Sequence, residues 1–443
     1  MKRILSLAVA LLLVAGTAFG WPLARVWHRG ASGSGPWWND SSLTFYAPFD
    51  DPADPLRLIK GTGTLSFTRA TTAMRTAIDN GYLTSTPAGT LRIEAKGALI
   101  EGQRTNLVAY SEQFDQSWWL KEAVTITVNA AVAPDGTTTA DKICDSSTTT
   151  APHNLFPTTT PPADNSPQTD SVFAKAGEHT WLLMEMRNKA GTAYFARFNL
   201  LTSALGTVDA GCTATILYYG NGWYRCSITI ADMGTGSGTN YMLFGAATNG
   251  TQTEHTGVVG YGIYIWGAQR ETASFPSSYI PTVAAAVTRN ADALTIANSG
   301  NISATAGTIN AEGIKYNGVE RGEIYDGQAS SGNNRLRLYV GTSEFVSLNY
   351  GTGTGDVSAS SGNTITVGTA FRAASAWQST DGRTSLDGGT VVTNTSDPSI
   401  TLGTNGTIGN NVDNNYPFYG NIKALRIWSR AFTDAELQTI TSP

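Results

Sequence analysis

From Leu43 to the C-terminus, Gly or Pro cuts the chain every few residues into short runs rich in Thr, Phe, Tyr and Val. Runs of that length and composition form strands, and the breaks between them form tight turns. Examples are Thr64 to Thr68, Val124 to Val128, Trp181 to Met186, Tyr194 to Asn199, Ile228 to Ile230, Val258 to Trp266, Arg335 to Val340 and Ile422 to Trp428. In one of them Tyr261, Ile263 and Ile265 alternate with Gly260, Gly262 and Tyr264, which puts one apolar face inward as a half-buried sandwich strand requires. Low charge (14%) and 47 glycines fit the same reading, because a chain of many turns and few solvated helix faces needs little else. At 443 residues the chain exceeds one ordinary core. The expectation is an all-β protein of tandem β-sandwich (jelly-roll) domains.

The ends differ from this rhythm. Lys2 and Arg3 precede the apolar run Ile4 to Val14 and a small-residue stretch ending at Gly20, the layout of a secretory signal peptide cut ahead of Trp21. A permanent anchor is the other reading of residues 1–20, although the run is shorter than the roughly 20 residues that span a bilayer. Residues 21–42, rich in Gly, Ser and Trp, read as a linker or docking arm. The Thr- and Pro-rich stretches Ser146 to Thr150 and Phe156 to Pro167 read as an exposed loop. Pro276 to Ala286 is non-periodic and marks a module boundary. Near the C-terminus Thr433 and Glu436 form a capping-box pattern ahead of Leu437 and Ile440, which predicts a short terminal helix.

Three stretches carry a resemblance to a known family. They are Phe67-Thr-Arg-Ala-Thr with Gly97-Ala-Leu-Ile-Glu-Gly-Gln-Arg-Thr-Asn106 and Tyr110-Ser-Glu-Gln-Phe114; Gly220-Asn-Gly-Trp-Tyr-Arg-Cys-Ser-Ile228; and Gly262-Ile-Tyr-Ile-Trp-Gly-Ala-Gln269 with Phe275-Pro-Ser-Ser-Tyr-Ile-Pro281 and Val287-Thr-Arg-Asn-Ala-Asp292. In order and spacing they resemble the phage head spike or head fibre proteins, whose members also occur as tail-fibre-associated proteins. The strand-like pattern that begins at Leu43 gives an N-terminal β segment over 43–106, and the resemblance implies a jelly roll over 107–283 similar to carbohydrate-binding modules. The stretch Gly420 to Leu437 looks like the closing strand and helix of a concanavalin-like or laminin-G-like sandwich over 284–443.

Aromatic rings are the first candidates for a ligand site, since a flat ring stacks on the apolar face of a sugar. Trp118, Trp119, Trp181, Trp223 and Tyr224 are the candidate glycan-binding residues. Trp223 and Trp266 stand among apolar neighbours, which favours the core for those two, whereas adjacent Trp118 and Trp119 must face opposite sides of a strand. Asp50, Asp51 and Asp54 could hold a structural calcium, but a solvated turn accounts for them better. No catalytic residue and no other metal or cofactor is expected: His28, His153, His179 and His255 are scattered in sequence, and Gly234-Thr-Gly-Ser-Gly238 has its Ser in the wrong place for a nucleophile elbow. Cys212 and Cys226 could pair, but a buried free thiol is the commoner state for a Cys in a run like Tyr224 to Ile230.

A formal charge of −5 provides no field for a polyanion, so nucleic acid is not an expected partner. The functional expectation is a non-enzymatic virion protein, a head or tail fibre or decoration. Its partners would be host-surface polysaccharide, other virion proteins and further copies of itself in a homo-oligomer. A secreted or periplasmic carbohydrate-binding protein, cut at Gly20, is the alternative, and a glycan hydrolase the third reading.

Overall fold

The computed structural model describes residues 40–158, 165–236, 241–318, 320–328, 335–351, 356–396 and 400–443. The signal-like segment 1–20, nearly all of the arm 21–42, and parts of the loops at Phe156 to Pro167 and Gly234 to Gly238 lie outside these residues. From Ser42 onward the chain forms one unit. Among the described residues no helix is long and apolar enough to cross a membrane.

The fold is all-β, with two sandwiches and a single short helix among the described residues. The first sandwich pairs an eight-stranded with a seven-stranded sheet. Most of its strands come from the C-terminal third, but the segment 43–106 enters both sheets. Leu43–Ala47 and Gly97–Ile100 pair with opposite halves of Gly420–Trp428, and Ser66–Thr68 pairs with Ala293–Ala297. Phe45, Phe67, Ile93 and Ile100 accordingly share one core with Ile309, Leu338, Trp377 and Ile427.

The second sandwich is built from the chain between these two contributions. One six-stranded sheet runs in the order Cys212–Gly220, Trp223–Ile230, Gln168–Ala176, Gly262–Thr272, Ala140–Asp145 and Val124–Ala131. The other runs Leu205–Val208, Ala193–Asn199, Trp181–Arg187, Met242–Ala247, Asn154–Pro157 and Trp119–Glu122. Their inner faces meet in a core that includes Ile143, Val172, Met184, Phe198, Ile228, Phe244, Ile263 and Ile265. Tyr261, expected to share the inward face of Ile263, sits ahead of the strand and is exposed, because its backbone is taken up in the turn from Val258. Phe156 and Pro157, expected in a loop, belong to the strand Asn154–Pro157.

The two crossings into and out of this inserted sandwich lie side by side, since Arg104–Asn106 pairs antiparallel with Val287–Arg289. Beneath that ribbon is a buried ionic cluster. Arg92 donates to Glu101 at 2.7 Å, to Ser278 Oγ at 2.8 Å and to Asp292; Arg69 donates to Asp292 at 2.9 Å; Arg289 donates to Glu101 and to the Gly102 carbonyl. Burial works against ionising Glu101, but Arg289 and Arg92 outweigh it and hold the carboxyl well below its usual range. The cluster ties three stretches of chain together, so the sandwiches meet through three buried arginines that share two carboxylates.

The terminal helix Asp434–Thr441 forms where its capping box places it: Thr433 Oγ1 accepts from Glu436 N–H, and the Glu436 carboxylate accepts from Thr433 N–H. Leu437 is its buried anchor, and Thr441 meets Ser385 on the strand Asp381–Leu386. All three cysteines are free, with Cys144 and Cys226 buried.

Candidate functional site

Along Trp181–Arg187 the residues alternate between two destinations. Leu182, Met184 and Met186 point into the inserted sandwich's core, so Trp181, Leu183, Glu185 and Arg187 occupy the outer face. Directly opposite partners share a face, which brings Ala247 and Asn199 to Trp181, Gly245 and Arg197 to Leu183, and Leu243 and Phe195 to Glu185. The result is a mixed aromatic and polar surface in which Trp181, Phe195, Phe156 and Tyr241 pack around Leu183, Leu243 and Ala247.

Its polar groups are held by one another. Arg187 Nε donates to Glu185 Oε1 at 2.5 Å while its guanidinium lies 4.4 Å from the Tyr241 ring centre. Arg197 lies 5.1 Å from the Phe195 ring centre and reaches Asp209 at 3.5 Å. Asn154 Nδ2 reaches toward Glu122 at 3.4 Å, whereas its buried Oδ1 meets no donor among the described residues.

At the Trp181 end the loop after Met242–Ala247 forms an open, polar groove of about 560 Å³, lined by Thr150, Thr248, Thr251, Gln252, Glu254 and His255 among others. Gly250 lets this loop rest on the indole: a Cβ there would come within 2.7 Å of the Trp181 ring. Trp181 is half-buried under Gly250, beside the groove and not among its lining residues.

The other four aromatic candidates do not join Trp181. Trp119 is 1% exposed in the core and donates its indole N–H to the Tyr110 carbonyl at 3.0 Å. Trp118 is half-buried, edge-on to Trp119 with ring centres 4.8 Å apart. Trp223 is 1% exposed and bonded to the Val132 carbonyl; Tyr224 is 8% exposed, facing the sandwich interior. Rings this far from solvent offer no face to a sugar, which corrects the expectation for Trp119, Trp223 and Tyr224. Asn154, Glu185, Phe195, Arg197 and Tyr241 were missed, although the period-two alternation of Trp181 to Arg187 was a signal for Glu185 and Arg187.

The histidines are the larger surprise. Scattered in sequence, His153, His179 and His255 converge on the buried Asp145 at the end of Ala140–Asp145. His179 Nε2 is 2.9 Å from Asp145 Oδ2, His255 Nε2 is 3.1 Å from the same atom, and His153 Nδ1 is 3.2 Å from Oδ1. Val258 N–H also donates to Oδ2, at 2.9 Å. Burial opposes the Asp145 charge, but these bonds outweigh it and hold the carboxyl below its usual range, while burial pushes His255 down.

One family match falls in the first sandwich. Residues 288–438 match the concanavalin A-like lectin/glucanases superfamily. No curated protein matches the chain. Among solved structures, the carbohydrate-binding module CBM40 of a Ruminococcus gnavus sialidase is 17% identical, with 32% of this chain and 84% of that one covered and a TM-score of 0.29. Mouse laminin α1 domains LG4-5 are 11% identical, covering 65% and 90%, with a TM-score of 0.24. A heptameric pentraxin from Limulus polyphemus is 15% identical, covering 31% and 70%, with a TM-score of 0.25.

Proposed function

We propose that this chain is a display protein of a phage particle, a head or tail fibre or decoration, whose sandwiches bind host-surface glycans. The lectin-superfamily match over 288–438, which covers the first sandwich and not the inserted one, is the observation that carries the glycan reading. The outer face with Trp181, Phe195 and Tyr241 supplies half-buried rings of the kind that sugars meet. The virion setting is supported by the order of the sequence stretches that resemble head-fibre proteins. Many copies on one particle would multiply weak single contacts.

The reading is of a binding protein without catalysis. Glu101, Asp292 and Asp170 are each bonded to buried arginines, so they serve the fold and not proton transfer. The N-terminal Lys2, Arg3 and apolar run favour a second setting, a secreted carbohydrate-binding protein. Peptide mass spectrometry on gradient-purified particles and on cell-free supernatant separates the two. The proposal expects the chain in particles; finding it only in supernatant, beginning at Trp21, would replace the virion setting with secretion.

A further inference from the structure

We propose that Asp145, His153 and His255 form a binding site for a divalent transition-metal ion of the zinc class. The three ligand atoms lie within 4.8 Å of one another and all three residues are buried. Asp145 Oδ1 is 3.2 Å from His153 Nδ1 and 3.3 Å from His255 Nε2. A tetrahedral zinc with bonds of about 2.0–2.2 Å separates its ligand atoms by about 3.3–3.6 Å, so the two carboxylate–imidazole separations already match tetrahedral edges, and all three atoms lie within 4.8 Å of one another. Two imidazole nitrogens and one carboxylate oxygen suit zinc and its neighbours, whereas calcium takes oxygen ligands throughout.

The surroundings fix these ligands. Asp145 Oδ2 is held by His179 Nε2 and Val258 N–H, with Oδ1 facing His153, while His255 Nε2 stands 3.1 Å from Oδ2 and 3.3 Å from Oδ1. His153 and His255 stack with ring centres 4.3 Å apart. Gly257 makes room for them, since a Cβ there would stand 2.4 Å from His153 Cε1 and 2.1 Å from the Ser147 carbonyl oxygen. His255 also lines the open groove, which provides an entry path.

Ligation through Nδ1 of His153, 3.0 Å from the Ala123 carbonyl oxygen, uses the neutral tautomer that carries its proton on Nε2, which faces the Thr149 carbonyl at 3.4 Å; a doubly protonated imidazole would release its Nδ1 proton to solvent as the metal–nitrogen bond forms. No electron is transferred. The ligands come from separate segments, the end of Ala140–Asp145, the turn before Asn154–Pro157, and the short pair Thr150–Ala151 with His255–Thr256. An ion there would pin that short pair to the sandwich, and the inference stands whether or not the groove binds glycan.

The test uses the untagged full chain, stripped with chelator, titrated with zinc chloride by calorimetry, and titrated with cobalt(II) by visible absorption. One equivalent of zinc and an intense tetrahedral cobalt spectrum are expected. Asp145→Asn and His255→Gln should abolish both, and His179→Gln should weaken zinc binding about 10- to 100-fold, with near-UV circular dichroism confirming that each variant is folded. Should a ligand variant fail to fold, the wild-type cobalt spectrum and the His179→Gln affinity decide. No zinc uptake by the folded wild type, or uptake equal in all folded variants, would overturn the site.

Discussion

Arg69 and Asp292 stand 223 residues apart in sequence, yet Arg69 Nη1 donates to Asp292 Oδ1 at 2.9 Å with both side chains closed to solvent. The same carboxylate accepts from Arg92 and from the Glu101 N–H, and Glu101 in turn accepts from Ser278. Arg69, Glu101, Ser278, Arg289 and Asp292 all belong to the stretches that resemble head-fibre proteins. Asn106 and Gln269, also in those stretches, hold the Ile280 carbonyl and N–H nearby. These stretches therefore encode the joint between two sandwiches. They specify how the inserted domain is carried, and the face around Trp181 lies outside them.

Neutralising Asp292 tests that joint. Asp292→Asn leaves Arg69 and Arg92 buried with too little negative charge, and a loss of about 3–5 kcal/mol is expected. Urea unfolding with an unchanged denaturant slope would measure it.

Acid should loosen the same joint. The folded Glu101 carboxyl titrates well below the unfolded value near 4.5, so its contribution is complete above that pH. It is lost as pH falls through 4.5 toward the lower folded value. Wild-type stability should drop across that window, while Glu101→Gln should be less stable at neutral pH and lose less on acidification, as thermal unfolding at a series of pH values would show.

Local signals were legible in the sequence where a short window decided the outcome. The capping box at Thr433 and Glu436 located the helix, and the alternation around Ile263 and Ile265 located a core strand. What stayed hidden was long-range pairing. Nothing near Leu43 or Gly97 reveals that both flank Gly420–Trp428, because register is set by a partner more than 300 residues away. The histidines illustrate the same limit: their sequence spacing has no metal-site pattern, and only two sheets meeting at one end bring them to Asp145.

The cysteines should be indifferent to reductant. In the paired strands Cys212 stands opposite Ile230 and Cys226 opposite Ile216. That is four residues out of register, about 14 Å along a strand, against a Cα separation of at most about 7 Å for a disulfide. Burial, with Asp209 beside it, also pushes the Cys212 thiol up to about 11. Intact mass should show three free thiols, native alkylation should be slow, and the melting temperature should not change with dithiothreitol.

Two tryptophan classes should separate cleanly. Trp119→Ala and Trp223→Ala empty well-filled core sites and should each cost about 3–5 kcal/mol in chemical denaturation. Trp181→Ala, at a half-buried position beside the groove, should cost less.

Binding of the full chain to host-surface polysaccharide, measured by affinity electrophoresis or calorimetry, tests the glycan reading most directly. The account predicts measurable binding by the wild type and at least a tenfold loss, about 1.4 kcal/mol, in a folded Trp181→Ala or Tyr241→Ala variant. Wild-type binding that persists unchanged in both variants would move the site off this face, and no binding by the folded wild type to any host polysaccharide would contradict the glycan-display account itself.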